Sequence, residues 1–224
     1  MRVQRFSIRE SLTFGWSAFK GSLWWLVAVF ALAKVMQYLP VLVVQRLDLF
    51  FNIDISGLVN AIMAVAGFLA SQILVVKVSL QILDKRQVNL AEALRSLALF
   101  FNLGVGYGLY CLVVVFGLIF LIVPGVLWAI EFQFFPYFIL DARSGPIEAL
   151  TRSSEITSGE KWHLLRYNII TLLLQAAGLI ALIVGYIPAY LVQLLATAHV
   201  YRQLTSHVQE VGDRDAQPAD QTTS

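Results

Sequence analysis

The chain has 224 residues, of which 58% are hydrophobic and 13% charged, with mean hydropathy +0.74. Soluble domains carry about 25% charged residues, so this composition leaves too little polar surface for a water-facing domain. The formal net charge of +2 is too small to point to nucleic acid, and the single cysteine, Cys111, excludes an intrachain disulfide.

The apolar character is not spread evenly. About 22 polar or amphipathic residues precede the first apolar stretch, too many for the short basic start of a cleavable signal peptide. Ala31-Leu32-Ala33 mimics a small-residue cleavage site, and the uncleaved reading is preferred. A helix needs about 20 apolar residues to cross 30 Å of hydrocarbon at 1.5 Å per residue. Six stretches meet or approach that length: 22–44, 56–83, 104–123, 125–141, 164–184 and 188–206. One helix over 104–141 would be roughly 57 Å long, so Pro124-Gly125 is predicted to turn the chain. Gly185-Tyr186-Ile187-Pro188 is predicted to do the same between the last two stretches.

Lysine and arginine set an orientation. Arg2, Arg5, Arg9 and Lys20 precede the first stretch; Lys85, Arg86 and Arg95 lie between the second and third; Arg143, Arg152 and Lys161 lie between the fourth and fifth. The opposite side carries only Arg46, in a loop shared with Asp48 and Asp54. The positive-inside rule then places both termini in the cytoplasm.

Each segment ahead of a pair of stretches repeats one design: RESLTFGWSAFKG, AEALRSLALFFNLG and IEALTRSSEITSG. Glu10, Glu92 and Glu148 are followed 11, 12 and 11 residues later by Gly21, Gly104 and Gly159. Ile8, Leu12, Trp16 and Phe19 fall at helical spacing, as do Leu90, Ala93, Leu94, Leu97 and Phe101. The pattern predicts three interfacial helices lying flat, each ended by a glycine that turns the chain into the membrane. The expected architecture is an all-α integral membrane domain over 1–208. It has six transmembrane helices in three pseudo-repeated pairs, each pair preceded by an amphipathic helix. The polar, acidic segment 209–224 is predicted to be a disordered cytoplasmic tail.

The stretch PGVLWAIEFQFFPYFILDARSGPIEALTRSSEITSGEKWHLL, from Pro124 to Leu165, resembles a family of bacterial membrane proteins that includes the YciC-like proteins. It is also similar to the membrane domain accompanying some glycerophosphoryl diester phosphodiesterases. The residues that carry the resemblance are Pro124-Gly125, Pro136-Tyr137, Asp141, Ala149-Leu150, Ser153, Gly159 and Lys161-Trp162. It implies a six-span protein of the bacterial inner membrane without an assigned activity. No phosphodiesterase domain follows within the 224 residues, so diesterase chemistry is not carried over.

Glu131 stands out, a carboxylate in an apolar stretch. Depth arithmetic puts it roughly 8 Å below the outer boundary and Lys34 of the first stretch roughly 15 Å below it. Lysine's long stem reaches outward, so a Glu131–Lys34 pair is predicted, because intramembrane charges find partners. The alternative is a proton or cation site at Glu131. Gly104-Val105-Gly106-Tyr107-Gly108 has the look of a potassium filter, but its cytoplasmic placement and missing threonine argue for helix packing through Gly104 and Gly108. His163, His199 and His207 are too scattered for a metal site, and Ser153 and Ser154 lack a histidine at nucleophile spacing. Trp24, Trp25, Trp162 and Tyr167 read as interfacial anchors. No P-loop, dinucleotide or zinc-protease motif occurs, and no cofactor is expected.

Two functions are compatible with these features. One is a scaffold, regulator or envelope-maintenance protein without catalytic chemistry, touching lipid head groups or a protein partner at the cytoplasmic face. The other is a small transporter or channel for lipid, ion or solute, lined by Glu131, Lys34, Asn60, Asn168, Gln175 and Gln193. A lipid-modifying enzyme rests on fold analogy alone.

Overall fold

A computed structural model describes residues 7–21, 23–51, 57–84, 88–180 and 186–216. The described chain is all-helical: α1 Ile8–Gly21, α2 Leu23–Phe51, α3 Gly57–Leu83, α4 Leu90–Arg95, a 3-10 turn at Ser96–Leu99, α5 Phe100–Phe120, α6 Ile122–Glu131, α7 Phe135–Asp141, α8 Pro146–Thr157, α9 Lys161–Ile180 and α10 Tyr186–Ala216. Among the described residues, five segments are long and apolar enough to cross a membrane: Leu26–Arg46, Gly57–Leu83, Leu90–Phe120, Ile122–Asp141 and Lys161–Ile180. The sixth predicted stretch lies in α10, which is not among them. Its apolar first half is instead largely interior, with Leu191, Leu195, Ala196, Ala198, Val200, Tyr201 and Leu204 buried.

Consecutive helices pack side by side: α2 with α3, α5 with α6, and α9 with α10. Small residues set the closest approaches. At Gly67, in α3, an added Cβ would lie 2.5 Å from the Gln37 carbonyl oxygen and 2.8 Å from that of Met36. Those atoms are backbone and cannot rotate away. Gly67→Ala is therefore expected to force α2 and α3 apart at a cost of about 1–3 kcal/mol. A drop in unfolding temperature in detergent checks this, with Gly108→Ala as the control, since nothing lies within 4 Å of its Cβ position.

Gly117 and Gly125 act similarly between α5 and α6, where their Cβ positions meet Trp128 and Leu118. The turn itself corrects the sequence reading. The chain reverses at Leu121, in extended conformation, not at Pro124-Gly125. Pro124 falls in the first turn of α6, where a missing N–H breaks no helical bond, and Gly125 is the contact to α5. Five consecutive apolar residues at this reversal, Ile119 to Val123, are all exposed, three of them above 70%. An apolar tip with no polar side chain needs a nonaqueous covering. The second predicted turn, 185–188, lies partly outside the described residues, and Pro188 again sits in the first turn of a helix, α10.

Helices α1 and α8 form where the repeated segments predict, whereas the second segment holds only the short α4 and a 3-10 turn that runs into α5. Neither α1 nor α8 lies free on a lipid surface. Along α1, Ser11 and Gly15 are buried, and Gly15 packs on the Val192 backbone and Ala196 of α10. Phe14 stacks on His199 of α10 at 4.4 Å. Helix α8 buries Ala149, Ser153, Ile156 and Thr157. A large share of the apolar face that signals an interfacial helix is spent on the bundle. Gly159 does turn the chain, with φ 85°, whereas Gly104 lies inside α5. Nor do Gly104 and Gly108 make the packing face. Gly104 touches only Leu69, and the tight contact is Gly106, against Phe135 and Ile139. Helix α10 continues to Ala216, past the predicted start of the tail, and 217–224 lies outside the described residues.

Candidate functional site

The fourth apolar segment is not one helix. Helix α6 ends at Glu131, Phe132–Phe134 turn, and α7 begins at Phe135 with Pro136 in its first turn. Proline disfavours helical conformation in the residue before it and fits a helix start. An interruption leaves backbone groups without helical partners, and α8 supplies them. The Ser153 hydroxyl donates to the Glu131 carbonyl at 2.8 Å and accepts from the Phe134 N–H at 3.2 Å. The Thr157 hydroxyl reaches the same Glu131 carbonyl at 3.2 Å. Ser153 and Thr157 are both fully buried.

The Glu131 carboxylate is held at the same place. Lys161 Nζ, at the start of α9, lies 2.5 Å from Oε2, and the Ser154 hydroxyl donates to Oε1. The predicted pair with Lys34 is therefore incorrect. Lys34 donates to Gln37 Oε1 at 3.1 Å, with its ammonium over the rings of Phe30 and Tyr38 at 5.5 and 5.7 Å. Rings four residues before and after it on the same helix solvate the cation locally, so it has no need of a carboxylate on another helix.

A second ionic cluster closes the other end of α7. Arg202 of α10 reaches Asp141 at 2.8 Å and Asp84, just past α3, at 2.9 Å, while the Tyr201 hydroxyl donates to Asp141 at 3.3 Å. Tyr137 stacks on Tyr201 at 5.1 Å. One guanidinium thus ties α3, α7 and α10 together, using the planar fork that suits two carboxylates.

These contacts gather several of the residues singled out from sequence. Pro136, Tyr137, Asp141, Ser153 and Lys161 surround α7 and its entry. Gly159 shapes the approach to α9, and Trp162 is 63% exposed beside it. Pro124 and Gly125 lie apart, at the far end of α6. Sequence reasoning missed Thr157, Asp84 and Arg202, and it named Ser154 without its contact to Glu131. A serine or threonine every three or four residues on α8 was the available signal.

Beside the interruption, a cleft of about 510 Å³ opens between α5, α6, α9 and α10. Its polar lining includes Tyr110, Gln133, Asn168, Thr171, Gln175 and Gln193 on otherwise apolar walls. Asn168 donates to Gln133 Oε1 at 3.1 Å, but Gln133 Nε2 and Gln193 Oε1 are buried without a hydrogen-bond partner among the described residues. Of the polar lining predicted for a transporter, the cleft holds Asn168, Gln175 and Gln193; Glu131, Lys34 and Asn60 do not line it. No cluster of three or more metal-ligating side chains occurs among the described residues.

The class of protein these features define is an all-helical chain whose apolar helices are compatible with a multi-pass membrane protein, with its polar groups gathered at one interrupted helix. Compared with known proteins, the chain matches no protein-family model, no curated protein and no solved structure.

Proposed function

We propose that this chain is a non-catalytic scaffold or regulator of a bacterial inner membrane, akin to the YciC-like proteins, with both termini cytoplasmic. It crosses the membrane six times. Five crossings correspond to the apolar segments, and α10 makes the sixth as an inner helix, covered by α1, α3 and α9. The observation that carries the reading is the fate of the ionisable groups. Glu131 is bound by Lys161 and Ser154, and Arg202 by Asp84 and Asp141, so these groups fix helices rather than stand ready for proton transfer.

The cleft supports a second reading, movement of a lipid or solute along Gln133, Asn168 and Gln193. One experiment separates the two: purification with native lipid, identification of what co-purifies, and reconstitution into vesicles with a fluorescent lipid. The scaffold reading expects a lipid or protein retained at fixed stoichiometry and no acceleration of lipid exchange between leaflets. Accelerated exchange that disappears in Gln133→Leu and Gln193→Leu overturns it in favour of transport.

A further inference from the structure

Glu131 is ion-paired with Lys161, and Arg202 with Asp84 and Asp141; Lys77 is not. It lies within α3, the only charged residue in that 27-residue apolar helix, roughly 9 Å inside its last turn at helical rise. It makes no ion pair or hydrogen bond among the described residues. An ionisable residue in such a segment marks a functional site by default.

Lys77 opens instead into a pocket of about 300 Å³, with Arg95 from α4 and Arg143 from the loop between α7 and α8. Those two arginines are likewise unpaired among the described residues. Three cations from three different elements converge on one concave space, accompanied by a single carboxylate, Glu92, which also accepts from Gln81 Nε2 at 3.3 Å. Three positive charges less one leave a surplus of two. Converging like charges repel one another, and concave low-dielectric walls strengthen the field they share. Arg143 is also the only non-glycine residue with positive φ, 54°, among those described. Its backbone takes the left-handed conformation although Gly145 lies two residues on.

We propose that this pocket binds a phosphate group carrying about two negative charges, as on a phosphomonoester. Guanidinium forks match phosphate oxygens in pairs, and Lys77 adds a point charge from below. The bearer is a lipid head group or a soluble phosphate compound; both present the same chemistry to the three cations. The inference does not depend on the scaffold reading, and it is tested without a membrane.

The test titrates detergent-solubilised protein with short-chain phosphatidic acid and phosphatidylcholine, reading bound adducts by native mass spectrometry. Inorganic phosphate is added as competitor. Phosphatidic acid is expected to bind at least about tenfold more tightly than phosphatidylcholine, the equivalent of about 1.4 kcal/mol. Arg143→Gly keeps the left-handed backbone and removes the guanidinium; it is expected to lose about fivefold, and Lys77→Gln with Arg95→Gln the remaining preference. Displacement by millimolar phosphate assigns a soluble bearer, and resistance to it assigns the lipid; both support the site. Equal affinity for the two lipids, or a preference unchanged in Arg143→Gly, overturns it. If the double variant fails to fold, Arg143→Gly alone decides.

Discussion

Lys161→Met lowers the unfolding temperature of the detergent-solubilised protein by about 4–12 °C, the equivalent of about 2–3 kcal/mol in a chain of this size. Removing the ammonium leaves Glu131, 13% exposed, with Ser154 as its remaining side-chain partner. Breaking a fully buried pair costs about 3–5 kcal/mol; Lys161 itself is 34% exposed, so the expected loss is smaller. The charge state of the orphan decides the size of the effect. Adding Glu131→Gln to Lys161→Met removes the unpaired charge and keeps a hydrogen-bonding group for Ser154, so the double variant is more stable than Lys161→Met alone. Lys34→Met is the contrasting case: it forfeits ring contacts worth about 0.5–1 kcal/mol and behaves additively with Glu131→Gln. Thermal unfolding of the four proteins checks all of this. Equal losses for Lys161→Met and Lys34→Met would remove the pair from the account.

Arg202→Met is expected to cost about 2–3 kcal/mol, because it leaves two carboxylates, not one, beside each other without a counter-charge. Asp84 and Asp141 are 31% and 26% exposed, which keeps the loss below that of a dry pair. Repulsion between them acts on three helices at once, so the end of α3, α7 and α10 should loosen together. Hydrogen exchange reports this as faster amide exchange around both Leu83 and Leu140 in Arg202→Met. Arg202→Lys restores charge but not the fork, and exchange should fall between the two. Fast exchange confined to α10 would show that the cluster does not join these elements.

The helices themselves were legible because each depends on local information: apolar length for the spans, 3.6-residue periodicity for α1 and α4, and the repeated segment design for α8. What covers an apolar face is not local information. The stripe of α1 looks the same whether it meets lipid or Val192 and Ala196 of α10. The pairing with Lys34 failed for a related reason: depth along α6 does not say which neighbour meets Glu131, and the break after it at 132–134 lets Ser154 and Lys161 take the carboxylate. Phe132-Gln133-Phe134 contains no glycine or proline, and the interruption depends on hydroxyls of α8 some twenty residues later. The turn at Leu121 was hidden by Pro124-Gly125, a stronger local signal that serves the first turn and the packing of α6 instead. Pro136, Tyr137, Asp141, Ser153 and Lys161 were picked out by resemblance without a physical role; their contacts supply one.

Everything rests on hydrocarbon, not water, meeting the exposed apolar surface typified by Ile119 to Val123. Protease treatment of intact spheroplasts bearing an epitope tag after Ser224, followed by alkaline extraction of the membranes, tests this most directly. The account predicts a tag that is digested only after lysis and a protein that stays with the membrane pellet. Release into the alkaline supernatant, or loss of the tag from intact spheroplasts, contradicts it.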